Sequence, residues 1–197
     1  MAFIDKGSVE DYLLISIDGS MDTRINEWIQ AAQKYIEWYT QRNFEADSEV
    51  RYFDGPGGNI LYVDDFSSIV TFKTLDLDGS TVDVTYETTD YFEYPLNSSP
   101  KHIIKLSPDG SYGSLPRGKK RIKIDAVWGY ATTVPEDIKL VCTQLVSNIV
   151  NVGRQGGEDG VKQESLGDYS VTYGSLDEAA IKLGIKPILD SYKLLKV

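Results

Sequence analysis

The residue types that most often carry catalysis or bind metals are few in this sequence, and they lie far apart. His102 is the single histidine and Cys142 the single cysteine among the 197 residues. His102 lies in a stretch with the pattern of a strand, whereas Cys142 falls on the apolar side of a helical pattern. A metal site shared by these two residues is not expected; His102 is predicted to be a structural or surface residue and Cys142 to lie on the core face of its helix.

Three short motifs resemble known signatures, but each lacks a part that the chemistry needs. The GSYGS of residues 110–114 does not fit the G-x-S-x-G nucleophile elbow. The DGPGGN of residues 54–59 lacks the Lys-Ser or Lys-Thr pair of a phosphate loop. The DLDG of residues 76–79 lacks the remaining ligands and the closing Glu of a calcium loop. The last two motifs are therefore predicted to be turns.

Adjacent carboxylates at Asp64 and Asp65 could act as a general acid and a general base. Neighbouring residues of a strand point to opposite faces, so these two are poorly placed to cooperate. With no other catalytic constellation, the sequence predicts that the protein is not an enzyme and needs no cofactor. A carbohydrate-active hydrolase that uses carboxylates of the β region stays open as an alternative function.

The one basic run is RGKKRIK, residues 117–123, which holds five bases in seven positions. Strand alternation would place Lys119, Arg121 and Lys123 on one face and Lys120 on the other, together with Ile122 and Ile124. The candidate basic patch, which could contact a phosphate backbone or an acidic partner, is therefore Arg117, Lys119, Lys120, Arg121 and Lys123. The alternative is a charged edge strand that prevents unwanted sheet pairing.

A short strand-like stretch, DYSVTY, lies between glycines near the C-terminus. Tyr169, Val171 and Tyr173 alternate there with Ser170 and Thr172. Adding this strand to the sheet of a neighbouring subunit would satisfy its backbone groups. Folding back onto the protein's own β region is the other possibility.

Charge is distributed unevenly along the chain, which has a formal net charge of −10. Residues 1–100 carry 19 acids and 6 bases, whereas residues 101–197 carry 11 acids and 14 bases. Binding to a nucleic-acid backbone rests on basic side chains and is therefore not expected, whereas an acidic surface that repels DNA or lets it slide stays open. No apolar run approaches a membrane span, and the N-terminus lacks a signal-peptide pattern, so we expect no membrane contact and synthesis in the cytoplasm.

Helical patterns occupy both ends of the sequence. A short helix is predicted near residues 8–15, opened by Ser8 with Asp11, and a long amphipathic helix from Asp22 to about Asn43. A further helix is predicted to begin at Pro135 and to end near Gly153. Ser175 with Glu178 has the pattern of a capping box that opens a final helix, which Gly184 and Pro187 interrupt.

Between the helical segments, residues 50–128 form short β-branched and aromatic runs separated by turns. The predicted strands are 50–53, 60–63, 69–76, 81–87, 90–94, 102–106 and 119–128. About seven strands at this spacing indicate a small antiparallel barrel or sandwich. The expected class is α+β, with helical parts at 1–48 and 129–197 and a β insertion at 49–128. Strands rich in tyrosine could also form an exposed aromatic platform for a sugar or another ligand, as in a monomeric binding module.

The order of three segments resembles the head-tail connector (adaptor, or head-completion) proteins of tailed bacteriophages. The first is INEWIQAAQKYIEWYTQRNF, residues 25–44, and the second is VWGYATTVPEDIKLVCTQLVSNIV, residues 127–150. The third is ESLGDYSVTY, residues 164–173, followed by the Ile-Leu-Asp-x-Tyr pattern of residues 188–192. The β region resembles the insertion of the longer relatives.

This resemblance implies a helical connector core and a homo-oligomeric ring, commonly of twelve subunits, under the portal protein in the neck of a virion. Such a ring extends the DNA channel, with DNA only as passing cargo, and offers a platform for a stopper or tail-completion protein. Chemistry is not required of it. The segments of the resemblance that would contact other subunits or the portal supply nine candidate residues: Ser165, Leu166, Asp168, Tyr169, Val171, Tyr173, Ile188, Leu189 and Tyr192.

Overall fold

A computed structural model describes residues 2–155 and 173–194 of the chain, which divides into two compact units. Residues 1–42 and 134–197 form the first, here called the helical unit. Residues 43–133 form the second, the β unit. The β unit is thus inserted in sequence between the two parts of the helical unit.

The helical unit begins with a short helix whose N-terminus lies earlier than predicted. Helix α1 spans Lys6–Leu13, and the carboxylate of Asp5 caps it by accepting a hydrogen bond from the backbone N–H of Ser8 at 2.8 Å. The prediction that Ser8 opens this helix is therefore wrong, because Ser8 is the donor to the cap. A 3-10 turn at Gly19–Met21 then leads into helix α2.

Two long helices form the centre of the helical unit, and their apolar periodicity is confirmed. Helix α2 spans Asp22–Thr40 and helix α3 spans Glu136–Gln155. Gln41, with a φ of 57°, ends α2 shortly before the predicted boundary. The buried side chains of the two helices follow the predicted stripes: Ile25, Trp28, Ile29, Ala32, Tyr35 and Ile36 on α2, and Ile138, Val141, Cys142, Leu145 and Ile149 on α3.

Two short helices complete the unit. Helix α4 spans Tyr173–Lys182 and helix α5 spans Lys186–Tyr192. The predicted interruption is confirmed, since Gly184 adopts a φ of 67° between the helices and Pro187 lies in the first turn of α5. The predicted capping box is wrong, because α4 already begins two residues before Ser175.

Six antiparallel strands form the β unit. They are β1 Asp47–Pro56, β2 Ile60–Leu75, β3 Val82–Tyr86, β4 Tyr91–Tyr94, β5 Lys101–Leu106 and β6 Arg117–Trp128. The predicted strands 60–63 and 69–76 are one long strand, β2, so the count of seven is corrected to six. The polar stretch between them stays in the sheet because Phe66 pairs with both Lys101 and Trp128, with bulges on either side.

All six strands belong to one hydrogen-bonded sheet. Its path runs β1-β6-β2-β5-β4, with β3 paired to β2 beyond the end of the β2–β5 pairing. An aromatic and aliphatic cluster fills its inner face, including Phe66, Phe72, Ile104, Ile122 and Trp128. The α+β class is confirmed, while closure of the sheet into a barrel or sandwich stays a prediction.

Candidate interaction surfaces

The predicted contact segment of residues 164–173 lies almost entirely outside the described residues. Ser165, Leu166, Asp168, Tyr169 and Val171 lie outside the described residues. Tyr173 is the first residue of helix α4, so the predicted strand does not extend to it. A contact role for this segment stays a prediction.

Helix α5 contains the other three predicted contact residues, and they differ in how far their side chains are buried. Leu189 is fully buried and belongs to the core of the helical unit. Ile188 and Tyr192 are half-buried. The hydroxyl of Tyr192 donates to the carboxylate of Asp137 at 2.8 Å, and its carbonyl accepts from Arg42. Leu189 and Tyr192 therefore act within the unit, which leaves Ile188 as the contact candidate of this helix.

Tyrosine–aspartate hydrogen bonds tie the C-terminal helices to α2. Tyr35 donates to Asp177 at 2.9 Å, and Tyr39 donates to Asp190 at 2.7 Å. Lys186 bridges from the other side, with its Nζ 2.9 Å from the Asp177 carboxylate. Burial, with Asp177 alongside, raises the pKa of Tyr35 well above its usual range, and the bonds from Lys186 and Tyr35 hold the pKa of Asp177 below its own. This network joins the C-terminal helices to α2, and within it Lys186 and Asp177 form an ion pair.

The basic run occupies the start of β6, where the predicted alternation fails. Gly118 and Lys120 both have positive φ, of 136° and 51°. Between two regular pairs of the ladder, residues 119–121 of β6 lie opposite one residue of β1, Asp54, so β6 forms a bulge here. The backbone N–H of Lys120 donates to the Asp54 carboxylate at 2.8 Å, and this bond holds the bulge. Lys120 therefore does not share a face with Ile122 and Ile124, which are both buried.

The five bases of the run are not equivalent. Arg121 donates through Nε to the carbonyl of Leu75 at 2.6 Å, which fixes its guanidinium against the end of β2. Arg117, Lys119 and Lys120 are exposed and Lys123 is half-buried. Lys123 lies directly opposite Lys73 of β2, a residue that the sequence pattern did not single out. Only the register of the sheet brings that lysine into the patch.

A second exposed surface lies on the outer side of β2, β5 and β4. One cross-strand row consists of Tyr62, Ile103 and Tyr94, and the next consists of Ile60, Lys105 and Phe92. Tyr62 is 62% exposed and Phe92 is 45% exposed. We call these six residues the aromatic face. The sequence suggested such a platform in general terms, but the inner and outer sides of β4 were not distinguishable from its pattern.

The charge asymmetry of the sequence does not become an asymmetry between the two units. The helical unit carries 16 acids and 11 bases, and the β unit carries 14 acids and 9 bases. Each therefore has a formal net charge of −5. Residues 1–100 have a net charge of −13 and residues 101–197 a net charge of +3. The β unit contains residues from both of these halves, so the two units end with the same net charge. A local basic patch remains within an acidic β unit.

The candidate catalytic residues are dispersed in the fold. Asp64 is exposed and pairs with Arg51 at 2.9 Å, while Asp65 is buried. Burial raises the pKa of Glu93, and this carboxylate stands opposite Ile104 rather than a second acid. Burial also raises the pKa of the Cys142 thiol to about 12, so this thiol is not a nucleophile at neutral pH. Asp78 caps its own turn, where bonds from the Ser80 and Thr81 backbone lower its pKa to about 2.

Within residues 2–155 and 173–194, no group of three or more histidine, cysteine or acidic side chains is placed to hold a metal ion. No helix of this described part is long and apolar enough to cross a bilayer. The helical unit has an open groove of about 850 Å³ between the N-terminal segment and the start of α3. Its lining mixes apolar and charged residues, among them Tyr12, Leu140 and Lys139.

Comparison with known proteins finds the same overall fold in particle necks. No protein-family model matches the chain, and no curated protein matches it either. Among solved structures, the fold is shared with chains from the neck and virion of a gene transfer agent, a phage-like particle.

Three of these structures cover nearly the whole chain. The neck of the empty particle, computed with C6 symmetry, matches with a TM-score of 0.57 at 13% identity, covering 97% of this chain and 89% of that one. The neck of the native particle, computed with C12 symmetry, matches with a TM-score of 0.55 at 12% identity, covering 97% and 88%. The native virion matches with a TM-score of 0.54 at 12% identity, covering 97% and 89%. At these identities the similarity establishes a shared fold.

Proposed function

We propose that this chain is a structural protein of the neck of a phage-like particle, a head–tail adaptor that forms a ring below the portal. The ring would extend the DNA channel and offer a docking platform for a stopper or tail-completion protein, with DNA only as cargo. The protein would be made in the host cytoplasm and act in the virion without catalysis or a cofactor. Polyvalent contacts around a ring supply avidity that one subunit lacks.

The observation that carries this proposal is the extent of the fold similarity. The match covers 97% of the chain and therefore extends over residues of both units. Those neck structures were computed with sixfold and twelvefold symmetry, as cyclic assemblies require. The resemblance of the sequence to connector proteins points to the same class independently.

Ring formation can be tested directly with the purified chain. Native mass spectrometry and negative-stain imaging would be carried out alone and after mixing with portal protein from the same particle. We expect closed rings, in solution or on the portal. A chain that is monomeric in both samples and does not bind the portal would contradict the proposal.

Docking by the C-terminal segment has its own test. Changing Tyr169 and Tyr173 to Ser should weaken co-sedimentation with the portal, because both residues belong to the proposed contact segment. Thermal unfolding should still show a folded monomer. The matched control is Tyr12→Ser, which alters an exposed tyrosine of α1 outside that segment. Equal co-sedimentation of wild type and the double variant would remove the segment from the docking surface.

A second candidate function rests on the aromatic face of the β unit. Exposed aromatic rings on one sheet face are what a monomeric binding module for a sugar or a similar ligand would present. The two functions differ in assembly, because a module of this kind needs no ring. A strictly monomeric chain whose Tyr62 and Phe92 resonances shift on adding oligosaccharides would favour the second function.

A further inference from the structure

A row of side chains crosses four strands on the outer face of the β unit. Tyr52 of β1 lies opposite Lys123 of β6, Lys123 lies opposite Lys73 of β2, and Lys73 lies opposite Thr85 of β3. Directly opposed residues of antiparallel strands share a face, with Cβ atoms about 5 Å apart. The core residues Ile122 and Ile124 occupy the alternate positions of β6, so this row points away from the core.

The bulge of β6 adds two more lysines near this row. Lys120 is held by its backbone bond to Asp54, and its Nζ lies 4.7 Å from the ring centre of Tyr52, where it makes a cation–π contact. Lys119 precedes it and is exposed. We call Lys73, Lys119, Lys120 and Lys123 the lysine patch. Arg121 is not part of it, because its guanidinium is fixed on the Leu75 carbonyl.

The lysine patch has no acidic partner within its own unit. Among the described residues, none of its four amines is within ion-pair distance of a carboxylate. Two acids flank the patch without pairing with its amines: Asp54, whose carboxylate accepts from the backbone N–H of Lys120, and Asp125, which lies in the next row opposite Val50 and Thr71. Like charges directly opposite each other, as Lys73 and Lys123 are, destabilise a sheet. A bound anionic surface would relieve that repulsion.

The charge of the remaining chain favours one kind of anionic partner. Each unit has a formal net charge of −5, so carboxylates outnumber basic side chains in both units of another copy of this chain. A nucleic acid would meet the repulsion of a chain with a net charge of −10. We propose that the lysine patch binds carboxylates on an adjacent copy of this chain. The inference rests on the proposed ring, in which each copy has two unlike contact surfaces.

Zero-length cross-linking can identify such a contact in the assembled protein. Unlabelled and ¹⁵N-labelled copies are mixed, assembled with portal where the ring requires it, and treated with a carbodiimide, which joins an amine to a carboxylate in contact. Mass spectrometry then separates links within a copy from links between copies. We expect links between copies from Lys73, Lys119, Lys120 or Lys123, and at least a roughly fivefold loss of them in 0.5 M salt, since salt screens such contacts.

Variants separate the patch from a general charge effect. The double change Lys73→Gln with Lys123→Gln removes the opposed pair, and it should weaken assembly and shift its salt dependence while leaving the fold intact. Its matched control is Lys34→Gln with Lys182→Gln, which removes the same charge from exposed positions of the helical unit. The control should assemble like the wild type. Equal assembly of both double variants would overturn the inference.

The outcomes distinguish this inference from the proposed function. Rings that form without any link between copies from the lysine patch would overturn the inference and leave the adaptor ring standing. The protein could instead form dimers but no ring, with or without portal. Links between copies from the lysine patch would then support the inference and contradict the adaptor function. A short DNA duplex is the third probe. Fluorescence anisotropy that shows binding by wild type, lost in the Lys73 and Lys123 variant, would overturn the inference in favour of a nucleic-acid surface.

Discussion

The two units of this protein use their aromatic and charged side chains in different ways. In the helical unit, Tyr35, Tyr39 and Tyr192 each donate to an aspartate of the same unit. In the β unit, Tyr62 and Phe92 are exposed and the lysine patch has no ion-pair partner among the described residues. These three tyrosines thus stabilise the helical unit, whereas Tyr62, Phe92 and the lysine patch lie on the outer face of the β unit.

This difference separates residues that act on stability from residues that act on binding. A buried or paired group contributes to folding free energy because its removal leaves a cavity or an unpaired partner. An exposed group contributes little to stability, so its substitution should affect contacts with other molecules more than it affects folding. We therefore expect mutations of the helical network and of the two β surfaces to have distinct signatures.

The largest effect is expected at the core of the β unit. Trp128 is 1% exposed, packs on Phe53 and Phe66, and donates from its indole N–H to the Glu49 carbonyl at 2.8 Å. Trp128→Ala should lower the free energy of unfolding by about 3–5 kcal/mol. Urea unfolding followed by circular dichroism measures it, and hydrogen exchange should locate the loss in residues 43–133.

An exposed tryptophan serves as the control for that variant. Trp38 is 55% exposed on helix α2, and Trp38→Ala should cost less than about 1 kcal/mol. A Trp128→Ala protein as stable as Trp38→Ala would contradict the assignment of Trp128 to the core.

A smaller loss is expected when the helical network is opened. Asp177 accepts from Tyr35 and pairs with Lys186, and the pair is partly exposed to solvent. Asp177→Ala should lower the free energy of unfolding by about 1–2 kcal/mol, after allowing for that exposure. The matched control is Glu178→Ala, which removes an exposed neighbouring carboxylate. Thermal unfolding that ranks the two variants equally would exclude the network as a stabilising element.

The same network predicts how stability depends on pH. The pKa of Asp177 is lowered below its usual 3.8 by the bonds from Lys186 and Tyr35, so its contribution is present above about pH 4 and is lost at lower pH. The bond to Asp190 raises the pKa of Tyr39 from 10.0 to about 12, so that contribution is complete below pH 10 and is lost between pH 10 and 12. Thermal unfolding across pH 9–12 should show a flatter alkaline decline for Tyr39→Phe than for the wild type; parallel declines would speak against this linkage.

The smallest effect on stability is expected at the aromatic face, although assembly or ligand binding should change there. Tyr62→Ser combined with Phe92→Ser should alter the free energy of unfolding by no more than about 0.5 kcal/mol per residue. If the face is a contact surface, the double variant should show weaker assembly or ligand binding by analytical ultracentrifugation and titration. A large loss of stability with unchanged binding would place these rings in the core instead.

Local patterns in the sequence predicted the elements that depend on local physics. The stripe from Ile25 to Tyr39 predicted α2, because a helix with one apolar face has that period. A turn at Asp78-Gly79 is confirmed by the hydrogen bond from the Gly79 N–H to the Asp76 carbonyl at 2.8 Å. Only Gly79 of this pair has positive φ, so the turn is not the tight type I′ hairpin turn that an Asp-Gly pair favours. Strand β2 was divided in error because the polar residues near Asp64 and Ser67 resemble a turn, whereas pairing with two neighbouring strands keeps them in the sheet.

Features that depend on distant residues could not be predicted from such patterns. Tyr35 and Asp177 are 142 residues apart in sequence, and neither position suggests the other. The pairing of Lys73 with Lys123 requires the register of β2 on β6, which the bulges shift twice. The basic run was identified as a candidate patch, but its members could be separated only once the bulge at Lys120 and the Arg121 bond were known.

The number of copies in the assembled ring is the decisive measurement for the proposed adaptor function. Native mass spectrometry of the chain, alone and with portal protein from the same particle, together with class averages from negative-stain images, gives the number of copies and the symmetry. We expect a closed cyclic ring with a central channel, bound to or formed on the portal. A chain that stays monomeric in both samples, with no ring on the portal, would contradict it.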